Sequence, residues 1–278
     1  MENFLTYTPV QWTIVINVLT LGYAAMAAGL VYFWLTREQA APRYRLSSAL
    51  SAVVMASAVL ELFRLAQNWA NSFQLTAGVV EAGDAVFANG FRYMNWSIDV
   101  PVLLTQILVV LGFQGKRFKG PWVKFTVAGL LMIWTGYIGQ FYESAGAAYE
   151  NVSLAPYWIW GAISTVFFIY IIYLVWKEIS RGLQVLPDNG ARGMMKAVRW
   201  LLIISWCGYV VAYLMPVISF TAWGVVARQV IYTAADIVSK VIYGVMLGRV
   251  ATLRSQAEGY TFDVVEEASL GRVVPGRR

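Results

Sequence analysis

The sequence predicts an all-α membrane protein, a bundle of seven transmembrane helices. Of its 278 residues, 59% are hydrophobic and only 13% charged, whereas soluble domains are nearer a quarter charged. Seven apolar segments each reach the roughly 20 residues that cross a bilayer as a helix. The segments are rich in Leu, Val, Ile and Trp and are joined by short loops. Helices therefore fit better than the strands of a membrane barrel.

The seven segments follow one another along most of the chain. Their predicted bounds are 9–36, 44–70, 87–113, 121–144, 153–178, 194–217 and 222–250. The stretch "NSFQLTAGVVEAG" is the longest loop on its side of the bundle, and we expect a small hairpin there. We assign residues 1–254 to one membrane domain and 255–278 to a polar, poorly ordered tail.

The distribution of charge predicts the orientation. The net charge is +6, and the basic residues cluster in alternate loops and in the tail, as in "GKRFKGPWVK" between the third and fourth segments. The positive-inside rule then places the N-terminus outside and the C-terminus inside. The basic residues need no nucleic-acid partner. We expect a multi-pass protein of a cell membrane, a bacterial inner membrane, whose first helix inserts uncleaved.

Lys240 lies near the middle of the seventh segment, in "YTAADIVSKVIYGVMLGR". A lysine at membrane depth costs about 3 kcal/mol or more and is a functional hypothesis by default. Asp236 lies four residues earlier and therefore on the same helix face. One interpretation is a buried ion pair that holds helices together. The other is a Schiff base, because a desolvated lysine loses its proton more readily and attacks an aldehyde.

Polar residues also recur in the third segment, "RYMNWSIDVPVLLTQ". Asn95, Asp99 and Gln106 stand at i, i+4 and i+11, which is about three turns and one helix face. Arg92 precedes them on the same side, outermost in the predicted orientation. These four residues form a column through the interior, as expected of a route for ions or protons. The alternative is hydrogen bonding between helices.

These motifs resemble those of the microbial rhodopsins. Seven helices, "DIVSK" in the last and "RYMNW" followed by "DVP" in the third carry the resemblance, which covers the chain up to the tail. The resemblance implies that Lys240 binds all-trans retinal, that Asp99 is the counterion and proton acceptor, and that Asp236 belongs to the counterion complex. The chain has no histidine, which excludes the His–Asp counterion pair of the proteorhodopsins.

The triplet Asn95, Asp99 and Gln106 resembles that of the light-driven sodium pumps. Proton-pumping relatives such as bacteriorhodopsin have Asp, Thr and a carboxylate at these positions. Here neither the first nor the last residue can titrate, so a proton relay lacks its usual donor. The resemblance implies an outward pump in which sodium transiently contacts Asn95 and Asp236, with proton transport when sodium is scarce. The alternatives are an outward proton pump and a photosensor that signals through a partner.

The resemblance also implies a retinal pocket and two ends of the ion path. The pocket residues are Trp96, Trp160, Trp206, Tyr209, Tyr213 and Ser239. An ion pair of Glu143 with Arg228 is expected to close the outer exit. The inner uptake cavity is expected to comprise Gln106, Ser48, Ser51 and Gly248. Further copies of the same chain are expected as partners, in a homo-oligomer.

Glu61 is predicted from the residues alone. Ser57, Glu61, Arg64 and Asn68 recur at steps of 4, 3 and 4 on the second segment, which indicates one polar stripe. Glu61 lies at the depth between Asp99 and Arg92. It either faces inward and couples to Asp99, or pairs with Arg64 near the outer surface.

Overall fold

The computed structural model describes residues 1–143 and 153–262. Within these residues, seven helices are long and apolar enough to cross a bilayer. The first six are α1 Pro9–Thr36, α2 Arg45–Ser72, α3 Gly90–Val110, α4 Gly115–Gln140, α5 Ala155–Leu183 and α6 Ala191–Ile218. The seventh consists of α7 Ala222–Asp236, a π-helical segment Ile237–Ile242 and α8 Tyr243–Ala257. The predicted fold class is confirmed.

Local signals explain where helices begin. Thr8 caps α1, because its hydroxyl accepts a hydrogen bond from the Gln11 amide, while the Gln11 side chain accepts one from the Thr8 amide. Pro9 occupies the first helical position, where its missing N–H costs nothing. The fourth helix begins at Gly115, six residues before the predicted start at 121. The basic residues there lowered the apolar signal, and Pro121, which removes a backbone donor, lies inside the helix and does not begin it.

A β-hairpin joins α2 to α3, as predicted. Its strands are β1 Phe73–Thr76 and β2 Val79–Ala82, which pair antiparallel. Ala77 and Gly78 form the turn with φ of 50° and 87°, the positive values that a tight two-residue hairpin turn requires. The N-terminal segment is attached to this hairpin, because the backbones of Tyr7 and Val80 exchange hydrogen bonds of 2.7 and 2.8 Å.

The helices pack in chain order, and the seventh closes the bundle against α1, α2 and α6. We call the end with the N-terminus and the hairpin the outer end, following the predicted orientation. Apolar side chains are exposed on the flanks of the bundle, as in Leu21, Trp34, Ile159 and Val166, whereas charged ones are buried along its axis. This distribution is the reverse of a soluble protein's and suits a lipid environment.

The tail begins later than predicted. The seventh helix continues to Ala257, so a boundary after 254 falls inside it. The end of this helix and the residues after it are also held, because the Ser255 hydroxyl accepts from the Ala41 amide at 2.8 Å and the Tyr260 hydroxyl accepts from Arg45 at 3.1 Å. These contacts compensate for the polar composition that predicted disorder. The rest of the tail, 263–278, lies outside the described residues.

Candidate functional site

The π-helical segment Ile237–Ile242 carries the central lysine. A π-helix widens the turn by one residue and often marks a functional site. Lys240 is 2% exposed, and Asp236 stands at the junction with α7. The sequence predicted an ordinary α-helix at these positions. The residues alone did not reveal the wider turn, since no proline or glycine interrupts "DIVSKVI".

Three carboxylates surround the Lys240 nitrogen. Nζ lies 2.9 Å from Asp99 Oδ2, 2.9 Å from Asp236 Oδ1 and 3.9 Å from Glu61 Oε2. It also donates to Asn95 Oδ1 at 3.2 Å. The structure therefore brings together the predicted Schiff-base lysine, both predicted counterions and the first amide of the α3 column. The Lys240 nitrogen is the atom that would become the imine nitrogen of the predicted Schiff base.

Arg92 is the second cation of this cluster. Its NH1 lies 3.0 Å from Asp236 Oδ2 and 3.5 Å from Glu61 Oε1, and all three side chains are buried. Glu61 thus faces the interior and bridges toward both cations. Arg64, by contrast, is exposed, and its guanidinium lies 4.8 Å from the centre of the Phe91 ring. The predicted surface pair of Glu61 with Arg64 is not formed, because the long Arg64 side chain turns away from the bundle.

Neutral polar groups orient the charged ones. Asn95 donates to the Ser57 hydroxyl at 2.5 Å, which leaves its oxygen directed at Lys240. The Tyr209 hydroxyl donates to Asp236 Oδ1 at 2.7 Å and lies 2.9 Å from the Ser239 hydroxyl. Such hydrogen bonds supply the donors that a carboxylate loses when burial removes it from water.

A largely apolar cavity extends from Lys240 between α3, α4, α5 and α6. Its lining includes the predicted pocket residues Trp96, Trp206, Tyr209, Tyr213 and Ser239. Trp160 was predicted to line it and does not. The Trp160 side chain starts beside Gly139 of α4, and α5 presents Gly161, Thr165 and Phe168 to the cavity instead.

Two inner residues of the predicted path, Ser51 and Gln106, are in contact. Ser51 donates to Gln106 Oε1 at 3.3 Å, and both are buried. Gln106 Nε2 has no hydrogen-bond partner among the described residues. Ser48 is buried one turn from Ser51, and Gly248 has open space where a Cβ would stand. This arrangement leaves a polar donor directed into the interior near the inner end.

At the outer end, the predicted pair of Glu143 with Arg228 is present, at 2.7 Å. Glu2 joins it, 3.2 Å from Arg228, and was not predicted. Burial alone would raise the pKa of Glu2, but the Arg228 guanidinium and the N-terminal amine outweigh burial and lower that pKa to about 2. The short helix Glu2–Phe4 therefore brings a charged carboxylate into the outer end of the bundle.

A polar chain joins this outer cluster to the centre. Arg92 donates to the Gln229 side-chain oxygen at 3.0 Å, and Gln229 in turn donates to Glu2 at 3.0 Å and to Asn89 at 3.1 Å. Gln229, Asn89 and Glu2 were not predicted from the sequence. Only Gln229 carried a usable signal, since it is an amide directly after Arg228 within an apolar segment.

Comparison with known proteins assigns the family. A family model described as bacteriorhodopsin-like protein matches residues 13–253. The chain belongs to this family of microbial rhodopsins. The rhodopsin is similar to a solved thermophilic rhodopsin, at 31% identity and a TM-score of 0.84 over 92% of this chain and 99% of the other. The structure of xanthorhodopsin, described as a light-driven ion pump with dual chromophore, gives 31% identity and a TM-score of 0.81 over the same shares.

A third relative of the rhodopsin is the green-light absorbing proteorhodopsin of the gamma-proteobacterium EBAC31A08. It is 24% identical over 236 residues, which are 84% of each chain. Microbial rhodopsins are multi-pass membrane photoreceptors and light-driven ion pumps, not enzymes, and the family implies a retinal chromophore. The residues present fit that group, because a buried lysine opens into a cavity walled by Trp96, Trp206 and Tyr209.

Proposed function

We propose that this rhodopsin is a light-driven outward sodium pump with retinal bound at Lys240. The observation that carries the proposal is the α3 column. Asp99 is the member of that column that can titrate, and it lies 2.9 Å from the Lys240 nitrogen. Asn95 and Gln106, one turn outward and two turns inward, are amides that cannot take up or release a proton near neutral pH.

When bound, retinal supplies the light absorption and an isomerisation that makes the proton on the Lys240 nitrogen transferable. Asp99 is placed to accept that proton directly. The transfer would neutralise the lysine nitrogen and the carboxylate together. A cation could then cross the centre without meeting the positive charge that blocks it at rest. Return of the proton would restore the charge and oppose backflow.

Oxygen ligands for the cation are present beside the lysine. Asn95 Oδ1 and Asp236 Oδ1 lie 3.2 and 2.9 Å from the Lys240 nitrogen. Hard cations prefer carboxylate and amide oxygens. We expect sodium to contact these two residues transiently, after the proton has moved and while Asp236 keeps its bond to Arg92.

The remaining polar residues supply the two halves of the route. On the inner side Ser48, Ser51 and Gln106 offer hydroxyl and amide oxygens. On the outer side the chain from Arg92 through Gln229 to Glu2 leads to the Arg228–Glu143 pair. Each outward step places the ion beside a carboxylate or amide, so the ion never enters an apolar layer unaccompanied.

An outward proton pump is the second candidate, and the comparisons favour it. The matching family model is bacteriorhodopsin-like, and bacteriorhodopsin is the proton-pumping relative named above. Glu61 supplies a specific reason within the site, since a second buried carboxylate 3.9 Å from Lys240 could pass on a proton that Asp99 receives. What disfavours it is Gln106, which leaves the inner side without a carboxylate donor in the column.

Transport measurements in cells separate the two candidates. Cells that contain the pigment are illuminated in NaCl or in KCl, each with and without a protonophore. A sodium pump gives alkalinisation that persists in NaCl alone, because protons enter to compensate exported sodium. Acidification that the protonophore abolishes in both salts would identify a proton pump and refute the sodium proposal. Asp99→Asn is the matched control and should show neither signal.

A further inference from the structure

The predicted uptake cavity, at the buried Ser48, Ser51 and Gln106, is covered on its inner side by a layer one helical turn away. Tyr44 precedes Ser48 by four residues, and Val110 follows Gln106 by four, so each lies about 6 Å nearer the inner surface along its helix. Tyr44 is 1% exposed. An ion that entered from the inner side would meet this layer before it reached Gln106.

Arg254 of α8 fills the gap between Tyr44 and Val110. Its NH1 donates to the Val110 carbonyl oxygen at 3.1 Å. Its guanidinium lies 5.1 Å from the centre of the Tyr44 ring, within the range of a cation–π contact. One aromatic ring and one guanidinium therefore join the residue before α2, the end of α3 and α8 on the inner side of Gln106.

Glu258 holds this layer in place. It accepts from the Tyr44 hydroxyl at 2.8 Å, lies 3.5 Å from Arg254 Nε and forms an ion pair with Arg43. Glu258 directly follows α8, whose last turn is attached to the loop between α1 and α2 by the hydrogen bond from Ala41 to Ser255. The clamp thus depends on residues that follow the seventh helix in the chain.

A second cavity, of about 200 Å³, lies on the far side of the layer. Arg43, Tyr44, Gly112, Gln114 and Arg254 are among its lining residues. Two arginines and one carboxylate leave a net positive charge that repels an approaching cation. Gly112 lies directly against the arginine, since a Cβ there would stand 2.9 Å from an Arg254 nitrogen. Arg254 therefore lines this inner vestibule on the side nearest Gln106.

We propose that Arg254, clamped by Glu258 and Tyr44, closes inner access to the Ser48–Ser51–Gln106 cavity in the resting protein. The side chain must leave the Val110 carbonyl for an ion to enter. The closure itself is independent of which ion is carried, and only the direction of entry rests on the proposed function. The outer end is closed in the same manner, by Arg228 with Glu2 and Glu143.

Cysteine accessibility tests the closure in the intact pigment. The one cysteine of the chain is Cys207, so Cys207→Ser gives a cysteine-free background in which Ser48→Cys reports on the inner cavity. Inverted membrane vesicles are treated in the dark with a membrane-impermeant cationic methanethiosulfonate, and the labelling rate is measured. Arg254→Ala should raise that rate about tenfold or more, because a closed state that dominates leaves the open one under a tenth populated.

Controls and a milder variant make the result decisive. Arg249→Ala removes an exposed arginine from the same helix and should leave labelling unchanged. Glu258→Gln keeps the shape of the clamp, removes its charge and should also raise labelling. Retention of the visible band confirms that each variant folds. The reference is the protein that carries only Cys207→Ser and Ser48→Cys. Labelling rates within twofold of that reference in both the Arg254 and the Glu258 variants would overturn the proposal. If the transport measurement identifies a proton pump and the Arg254 variant still shows increased labelling, only the sodium assignment is refuted.

Discussion

At the scale of single residues, the centre of the rhodopsin is defined by an imbalance of charge. Lys240 and Arg92 face Asp99, Asp236 and Glu61, and all five side chains are at most 2% exposed. With every carboxylate ionised, the cluster would hold a net negative charge in a medium that solvates charge poorly. One bound proton would bring it to neutrality. Glu61 is the carboxylate farthest from the lysine nitrogen, and we expect its protonation to be coupled to that of Asp99.

Loss of the lysine should abolish the pigment. Lys240→Ala removes the amine that opens into the aromatic cavity, so added retinal has no covalent partner. We expect protein with no visible absorption band. Lys196→Ala, which removes an exposed lysine from α6, is the control and should give the full band. A normal band in the Lys240 variant would contradict the assignment of the retinal site.

Loss of the second carboxylate should change how the pigment responds to pH. Glu61→Gln preserves shape and removes a titrating group within the same buried cluster as Asp99. Because such groups titrate as a pair, the pH midpoint of the colour change should move by about one unit. Arg64→Gln, one turn away but exposed, serves as the control. An unmoved midpoint together with unchanged pumping would mean that Glu61 only pairs with Arg92.

At the scale of secondary structure, two elements depart locally from regular backbone geometry. The seventh helix changes to a π-helix over Ile237–Ile242, which presents Lys240 and Ser239 toward the cavity while Asp236 remains beside Arg92. The outer hairpin places two consecutive residues at positive φ. Ala77 carries a side chain there, and Gly78 does not. An L side chain in that region costs about 1–2 kcal/mol.

Substitution in the turn should therefore have opposite effects at its two positions. Gly78→Ala adds a Cβ at φ 87° and should destabilise the hairpin by roughly 1 kcal/mol. Limited proteolysis of the intact pigment should then cleave the hairpin about fivefold faster. Ala77→Gly removes the existing strain and should not accelerate cleavage. Equal rates for both variants would contradict the proposed turn geometry.

At the scale of the whole molecule, the outer polar network connects parts of the chain that are distant in sequence. Glu2 meets Arg228 and Gln229 of α7 and Asn89 before α3, while Glu143 follows α4. The N-terminal segment is therefore part of the closed outer end. Hydrogen bonds between Tyr7 and Val80 also anchor this segment to the hairpin. The N-terminal segment, the hairpin and the outer end of α7 therefore depend on one another.

This network predicts a defined dependence of stability on pH. The pKa of Glu2 falls from 4.5 to about 2 on folding, so the unfolded chain binds the additional proton and stability increases with pH between these values. The contribution, at most about 3 kcal/mol, is complete above 4.5 and is lost as the pH falls toward 2. Glu2→Gln should lower the temperature at which the visible band is lost at pH 6, and the difference from the unmodified protein should shrink by pH 3.

Glu38→Gln is the matched control for that measurement. Among the described residues, the carboxylate of Glu38 at the inner end forms an ion pair with Arg37 alone, at 3.7 Å, and is about half exposed, so its substitution should leave the thermal midpoint unchanged at both pH values. A Glu2→Gln difference that is constant across the pH range would show that Glu2 acts by packing, not by charge.

The sequence by itself determined the membrane class, the seven helices, the hairpin and the identity of the central lysine. These follow from composition and local periodicity, since twenty apolar residues span a bilayer and a lysine among them stands out at once. The helical spacing of Asn95, Asp99 and Gln106 likewise sufficed to place them in one column. The depth of Glu61 predicted its two possible partners but could not choose between them.

Only the tertiary structure decided which polar groups meet. Glu61 contacts Lys240 and Arg92, not Arg64, because the direction of a long side chain depends on the neighbouring helix and not on its own periodicity. Glu2 and Glu258 lie in short polar segments that composition assigns to termini, yet they clamp Arg228 and Arg254 at opposite ends of the bundle. Trp160 begins beside Gly139 of α4 and is absent from the cavity lining for a related reason. Contacts between helices depend on how the helices are rotated against each other, and the sequence of one helix does not contain that rotation.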